Sequence, residues 1–211
     1  MRVVIPSVDY ADMLEATLPA WRRLLPAATI VVVTAKHDRA TIALTRSSGA
    51  ALLVTDAWYR ERARFNKARA LDEAFDFAER PAGEICIAID ADVHPFGAFN
   101  PDAIGPGALY SVDRFYVDTP ATLARLVARP ALVLEELDRM TAGRRGPGYF
   151  QAFRARPGLT FGSYPDAGYY DLEFHRHFTG VEVLEGLHVG HLGRKSGKNW
   201  SGRTLPKWGA A

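Results

Sequence analysis

A single cysteine, Cys86, stands among 211 residues, so an internal disulfide and a cysteine-based zinc site are excluded, and its apolar surroundings make it a small core residue. No window approaches the roughly 18 uninterrupted apolar residues that a membrane span requires. Met1 leads straight into the strand-like RVVIP without the apolar stretch of a signal peptide, so a soluble, cytoplasmic protein is expected. Two glycine signatures are also missing. No G-x-G-x-x-G follows the first strand, which argues against a dinucleotide cofactor, and no G-x-x-x-x-G-K-[ST] is present, which excludes a P-loop enzyme. Acids are absent from residues 186–211, which carry Arg194, Lys195, Lys198, Arg203 and Lys207; this tail is +5 in a chain of net charge +2. Such a segment calls for an anionic partner, and the glycines and tryptophans of HLGRKSGKNWSGRTLPKW give it the composition of a shaped loop.

What is present fits one domain. With 48% hydrophobic and 24% charged residues, the chain can enclose a three-layer core. Residues 2–6 read as a strand, 9–25 as a helix with Asp9 or Asp12 near its start and Pro19 within it, and 29–34 (TIVVVT) as a strand buried on both faces. Residues 39–48 read as a helix stopped by Gly49, and 50–54 as a third strand. This β-α-β-α-β alternation predicts a Rossmann-like half with a mainly parallel sheet, in which ligands sit outside the carboxyl ends of the strands. Ser7, Asp9, Asp38, Asp56 and the pair Asp90 and Asp92 all fall on that edge.

The chain is organised around residues 85–96, ICIAIDADVHPF. A run of β formers ends on two aspartates one residue apart, followed by His94 and by Pro95, which cannot donate to a sheet ladder. Carboxylates at the end of a core strand can hold a divalent cation, which in turn can grip a diphosphate. Before it, residues 63–79 predict a helix with Phe65, Ala68, Leu71, Phe75 and Ala78 on one face. Its first turn carries Arg64, Asn66 and Lys67; the two cations stand at the positive end of the helix dipole, where a nearby anion would account for them.

Beyond the aspartates, residues 108–112 read as a strand, 122–128 and 132–140 as helical, and 143–148 (GRRGPG) as an irregular loop. Residues 149–153 (YFQAF) read as a strand that carries Gln151 on the same face as its aromatics, a surface that suits a sugar ring as well as a core. In FGSYPDAGYYDLEFHRHF, Asp166 is a candidate N-cap for a helix whose apolar stripe is Tyr170, Phe174 and Phe178, with Asp171 and Glu173 in its early turns. His188 and His191 end a final strand, and either imidazole could complete a metal site built on carboxylates.

The D-x-D after a core strand resembles that of nucleotide-sugar glycosyltransferases with the GT-A fold. FNKARALDEAF looks like the F-N-[RK]-A-x-x-L-x-x-x-F segment of beta-1,4-galactosyltransferase-type enzymes, within the wider family 2 pattern. The resemblance implies an α/β/α three-layer GT-A sandwich: residues 1–98 as nucleotide-binding half, 99–185 as acceptor half and 186–211 completing the donor site. It implies a UDP-sugar donor and Mn²⁺ or Mg²⁺ held by Asp90, Asp92 and His188 or His191. Phe65 and Lys67 would be donor-binding residues alongside Ser7, Asp9, Asp38 and Asp90. Asp171, with Glu173 close behind, matches the acidic cluster that supplies the base; Gln151, Tyr169 and Tyr170 would face a hydroxyl-bearing acceptor, whether glycan, protein, small molecule or modified DNA. H-L-G-x-x-x-G-K-N-W is similar to the H-x-x-G-x-x-K-P-W of family 8 transferases, which implies that Lys198 grips the diphosphate and Trp200 packs on the donor. The galactosyltransferase likeness points to inversion and the family 8 likeness to retention. GT-A-like nucleotidyltransferases would need a glycine-rich first loop, and haloacid-dehalogenase-type phosphatases a D-x-D on the first strand; neither is present. The other open class is a polyanion- or nucleic-acid-binding module using the basic tail, or a hybrid that glycosylates a hydroxylated DNA base.

Overall fold

A computed structural model describes residues 1–76, 79–130, 135, 137, 139–140, 148–193, 201–204 and 206–209. The strands are β1 (Arg2–Pro6), β2 (Thr29–Thr34), β3 (Ala51–Val54), β4 (Ile85–Ile89), β5 (Val93–Gly97), β6 (Leu109–Val117), β7 (Arg139–Met140), β8 (Phe150–Arg154) and β9 (Val181–Leu192). The helices are α1 (Ala11–Leu24), α2 (Arg39–Ser48), α3 (Lys67–Phe75), α4 (Pro120–Ala128) and α5 (Tyr170–His175). The strands join in one mixed sheet of order β3-β2-β1-β4-β8-β6-β9-β5, with β7 on β6. From β3 to β4 the pairing is parallel, with Val3 opposite Ile30 on one side and Ile87 on the other. Antiparallel pairs and the parallel β6–β9 pair complete the other half, so the parallel expectation holds chiefly for the β1–β4 side.

Strand alternation builds two cores. Val3, Ile5, Val32, Ile87 and Ile89 face α1, where Leu14, Leu18 and Trp21 meet them. Val4, Val31, Val33, Cys86 and Ala88 face the other way, toward Leu71 and Phe75 of α3 and Tyr170 and Phe174 of α5. Each such fully buried side chain contributes roughly 1.5–3 kcal/mol. A smaller cluster of Phe96, Val117, Leu123, Leu126 and Leu192 seats α4 beside the far edge of the sheet. The result is the three-layer sandwich that the sequence pattern implies.

Several boundaries differ from the sequence expectation. The helix expected over 63–79 begins only at Lys67, because Asn66 caps it by accepting from the Arg69 N–H at 3.1 Å, and a short 3₁₀ segment, Ala57–Arg62, precedes it. Asp76 ends it in a left-handed conformation. Asp166 does not cap α5: it accepts from the Gly168 N–H at 2.9 Å and pairs with Arg64 at 2.5 Å, while Tyr169 occupies the cap position without a side-chain bond. Phe178 accordingly lies past the end of α5. The strand expected at 108–112 runs on to Val117. Of the helix expected over 132–140, most lies outside the described residues, and its last two residues form β7 instead, paired to Arg114 and Phe115. Gly49 does stop α2, at φ +74°.

Asp38 is the N-cap of α2. One of its oxygens accepts from the Thr41 N–H at 3.0 Å, and the other from the Asp9 N–H at 2.7 Å and the Thr34 hydroxyl at 3.3 Å. Asp38→Ala is expected to lower stability by about 1–2 kcal/mol, with Asn, which keeps one acceptor oxygen, costing less. A thermal melt checks this, at roughly 2–4 °C per kcal/mol for a chain of this size.

Candidate functional site

After Ile89 the chain leaves the middle of the sheet, and Val93 restarts at its far edge as β5. Asp90, Ala91 and Asp92 make that crossing, at the switch point where open α/β sheets bind ligands. The crossing is pinned from several sides. The Asp90 N–H donates to the Tyr149 carbonyl at 3.0 Å, and the Leu192 N–H to that of Asp92 at 2.8 Å. From α1, the Thr17 hydroxyl donates to the Ala91 carbonyl and the Trp21 indole N–H to that of Val93, both at 2.7 Å. Four hydrogen bonds, from α1, β9 and the residue before β8, thus fix the backbone around the two aspartates.

The carboxylates have different partners. Asp90 forms an ion pair with Lys67 at the start of α3. Burial alone would lower the Lys67 pKa, but Asp90, followed by Tyr170, raises it above the ordinary lysine value. Burial pushes the Asp90 carboxyl up; Lys67 opposes that and the charge of Asp92 adds to it. Asp92, only 5% exposed, has an oxygen 3.4 Å from His191 Nε2. Burial acts to raise its pKa, and His191 more than offsets this, holding it below the usual range. Among the described residues, buried Asp92 Oδ1 and His191 Nδ1 have no hydrogen-bond partner. Buried polar atoms are nearly always satisfied, so the unbonded Asp92 oxygen beside His191 Nε2 is where a cation could be held.

Of the two histidines, His191 meets the aspartates. His191 lies opposite Val93, whereas His188 lies opposite Phe96 and, three residues away on the same strand, faces the other side of the sheet. There its ring meets Phe115 edge-on at 5.8 Å. No three His, Cys, Asp or Glu side chains converge as a metal cage among the described residues. Two protein ligands nonetheless fit a hard cation that takes its remaining oxygens from a bound diphosphate and water, as Mg²⁺ does in nucleotide sites.

Past the ends of β2 and β3 lies an aromatic pile. Buried Phe65 packs on Trp58 at 4.9 Å and Tyr59 at 6.5 Å, and Tyr59 lies 5.7 Å from the His37 ring. Asp9, at φ +64°, is exposed on its rim with its carboxylate 4.0 Å from His37. Ser7 is buried, its hydroxyl 3.4 Å from that of Thr41. Phe65 is therefore the floor of the pile, and His37 and Tyr59, which no motif singles out, are its outer surface. Ser7 and Asp38 support the loop from behind.

On the opposite side, Asp171 accepts from the Gly148 N–H at 3.1 Å and the Leu172 N–H at 3.0 Å, while Glu173 pairs with Arg176 at 2.6 Å on the surface. Tyr169 is 62% exposed; Tyr170 is buried, with Lys67 Nζ 5.0 Å from its ring centre. Gln151 is fully buried opposite Ala88.

Lys198 and Trp200 lie outside the described residues. The tail meets the site through Arg203 instead, which forks onto Asp12 at 2.5 and 2.8 Å, donates to the Asp9 carbonyl at 2.6 Å and covers the Tyr10 ring at 4.8 Å. Trp208 N–H also donates to Asp12, at 2.5 Å. Burial, then the charges of Asp92 and Asp90, raise the Tyr10 pKa. A second cation–aromatic group borders His191: the Arg114 guanidinium lies 5.1 Å from the Tyr116 ring and 4.6 Å from that of Tyr149. The His191 ring is 5.9 Å from the former and 6.3 Å from the latter.

No protein-family model matches the chain, and no curated sequence does. Solved structures do. Glucosyl-3-phosphoglycerate synthase of M. tuberculosis is similar over 93% of this chain and 73% of its own, at 18% identity and a TM-score of 0.50. A mycobacterial protein known by its crystal structure is similar over 93% and 67%, at 17% identity and a TM-score of 0.51. The complex of the former synthase with Mn²⁺, UDP and phosphoglyceric acid aligns over 72% of this chain and 55% of that one, at 20% identity and a TM-score of 0.44. The chain spans 55–73% of the length of these structures. What it shares at this identity is architecture: the α/β fold of GT-A glycosyltransferases.

Proposed function

We propose that the protein is a metal-dependent glycosyltransferase that moves a hexose from a UDP-sugar to an acceptor hydroxyl. One observation carries this reading: Asp92 and His191 stand 3.4 Å apart with orphaned buried atoms, beside the Asp90–Lys67 ion pair, at the carboxyl end of a central strand. Asp92 and His191 would hold Mn²⁺ or Mg²⁺, with Asp90 adding negative charge, and the cation supplies Lewis-acid neutralisation of a diphosphate leaving group. Lys67 fixes Asp90 and adds a buried positive charge next to that group. The group of His37, Tyr59 and Phe65, rimmed by Asp9, offers the rings of Tyr59 and His37, tilted by 44°, to a uracil ring, in keeping with the galactosyltransferase-like FNKARALDEAF segment. Asp171 acts as base. Its two backbone donors hold the carboxylate in one orientation, whereas Glu173 is engaged by Arg176. Asp171 takes the hydroxyl proton as the acceptor oxygen bonds to the anomeric carbon, the bond to the diphosphate breaks on the opposite face, and inversion results.

UDP release from a panel of UDP-hexoses, with Mn²⁺ or Mg²⁺, tests this reading. One donor is expected to release UDP. Asp171→Asn should lower acceptor-dependent turnover about 100-fold or more, and Glu173→Gln less than about threefold. Release from no donor in either metal, or equal losses in the two variants, would contradict the assignment.

A further inference from the structure

The two sides of the site are joined through one buried tyrosine. Tyr170, 3% exposed, donates its hydroxyl hydrogen to the Gly148 carbonyl at 3.0 Å, and the Lys67 ammonium, itself paired with Asp90, lies 5.0 Å from the centre of the same ring. On the other side of the same residue, the Gly148 N–H donates to Asp171 at 3.1 Å. Asp90, Lys67, Tyr170, Gly148 and Asp171 thus form one continuous series of contacts. Gly148 has no room for a side chain: a Cβ there would lie 2.5 Å from the Tyr170 oxygen and 3.2 Å from Asp171 Cβ. The close approach that lets residue 148 bond both neighbours requires glycine.

We propose that Tyr170 is a positioning residue that couples the donor side to the base: its ring lies against Lys67, its hydroxyl holds Gly148 by the carbonyl, and the N–H of that same glycine orients the Asp171 carboxylate. This replaces the acceptor-binding role expected for Tyr170 from sequence, because a buried phenol with both neighbours engaged presents nothing to an acceptor. The role of Asp171 in this proposal rests on the glycosyltransferase reading; the mechanical link between Tyr170 and Gly148 does not. The bond from Tyr170 is a local constraint, and constraints of this kind act on turnover more than on donor affinity.

Tyr170→Phe tests the proposal, since it keeps the ring over Lys67 and against Phe161, 6.1 Å away, and removes only the hydroxyl. Metal-dependent UDP affinity is expected to change less than about threefold, kcat to fall roughly 10- to 100-fold, and Tyr170→Phe/Asp171→Asn to be no slower than Asp171→Asn alone. Independently of activity, the Gly148 amide is expected to exchange with deuterium at least about tenfold faster in Tyr170→Phe than in wild type. Multiplicative losses in the double variant, equal losses of affinity and kcat, or unchanged exchange at residue 148 would overturn the proposal. If wild type binds no UDP, the functional reading fails, and the exchange experiment still decides the link.

Discussion

Asp92→Ala is expected to weaken Mn²⁺-dependent UDP binding at least about 100-fold, the largest functional effect of any single substitution in this site. Removing a direct ligand should exceed the 10- to 100-fold losses typical of groups one layer out. The same change should cost little stability. The contact of Asp92 with His191 is lost, but Asp92 Oδ1 has no partner to lose among the described residues, and a like charge next to Asp90 disappears. Calorimetric titration together with a thermal melt checks both halves. Wild-type affinity in the variant would contradict the ligand role, and a collapse of stability would show that Asp92 is a structural group.

Lys67→Met is expected to give the largest stability loss, about 2–4 kcal/mol, because it strands the Asp90 carboxylate, only 27% exposed, facing Asp92. For a chain of this size that corresponds to a fall of roughly 4–16 °C in melting temperature. Lys67→Met/Asp90→Asn should recover most of it, since the charge left unpaired is gone. A neutral single variant, or a double variant less stable than the single, would contradict this description of the pair.

How much of the site was legible follows from what local sequence can encode. Asp90 and Asp92 announce themselves because they interrupt a run of β formers, and Lys67 because a cation is out of place at a helix start. The sandwich follows from the period-2 pattern of Val3, Val4 and Ile5, whose alternate residues fill opposite cores. In sequence Asp38 reads as a strand-end acid on the ligand edge; the Thr41 bond makes it the N-cap of α2, and the Asp9 bond ties it to the β1 loop. His188 and His191 could be separated in principle, since strand residues three apart face opposite sides. Choosing His191 required the pairing of Val93 with it, a register that sequence does not state. Tyr10, Arg114 and Arg203 were not legible. Arg203 meets Asp12 across 191 positions, and Arg114 finds the Tyr149 ring only once β6 and β8 share a sheet. The basic tail called for an anion; at Arg203 that anion is Asp12 of the same chain, which lessens the case for a polyanion-binding surface.

Calorimetric titration of UDP into the wild-type protein, once with Mn²⁺ and once with EDTA, tests the donor-site assignment most directly. Saturable one-site binding in Mn²⁺, weakened at least about tenfold by EDTA, is the predicted result, because neither Asp92 nor Asp90 can approach a diphosphate without an intervening cation. No binding in Mn²⁺, or binding of equal strength in EDTA, would contradict it.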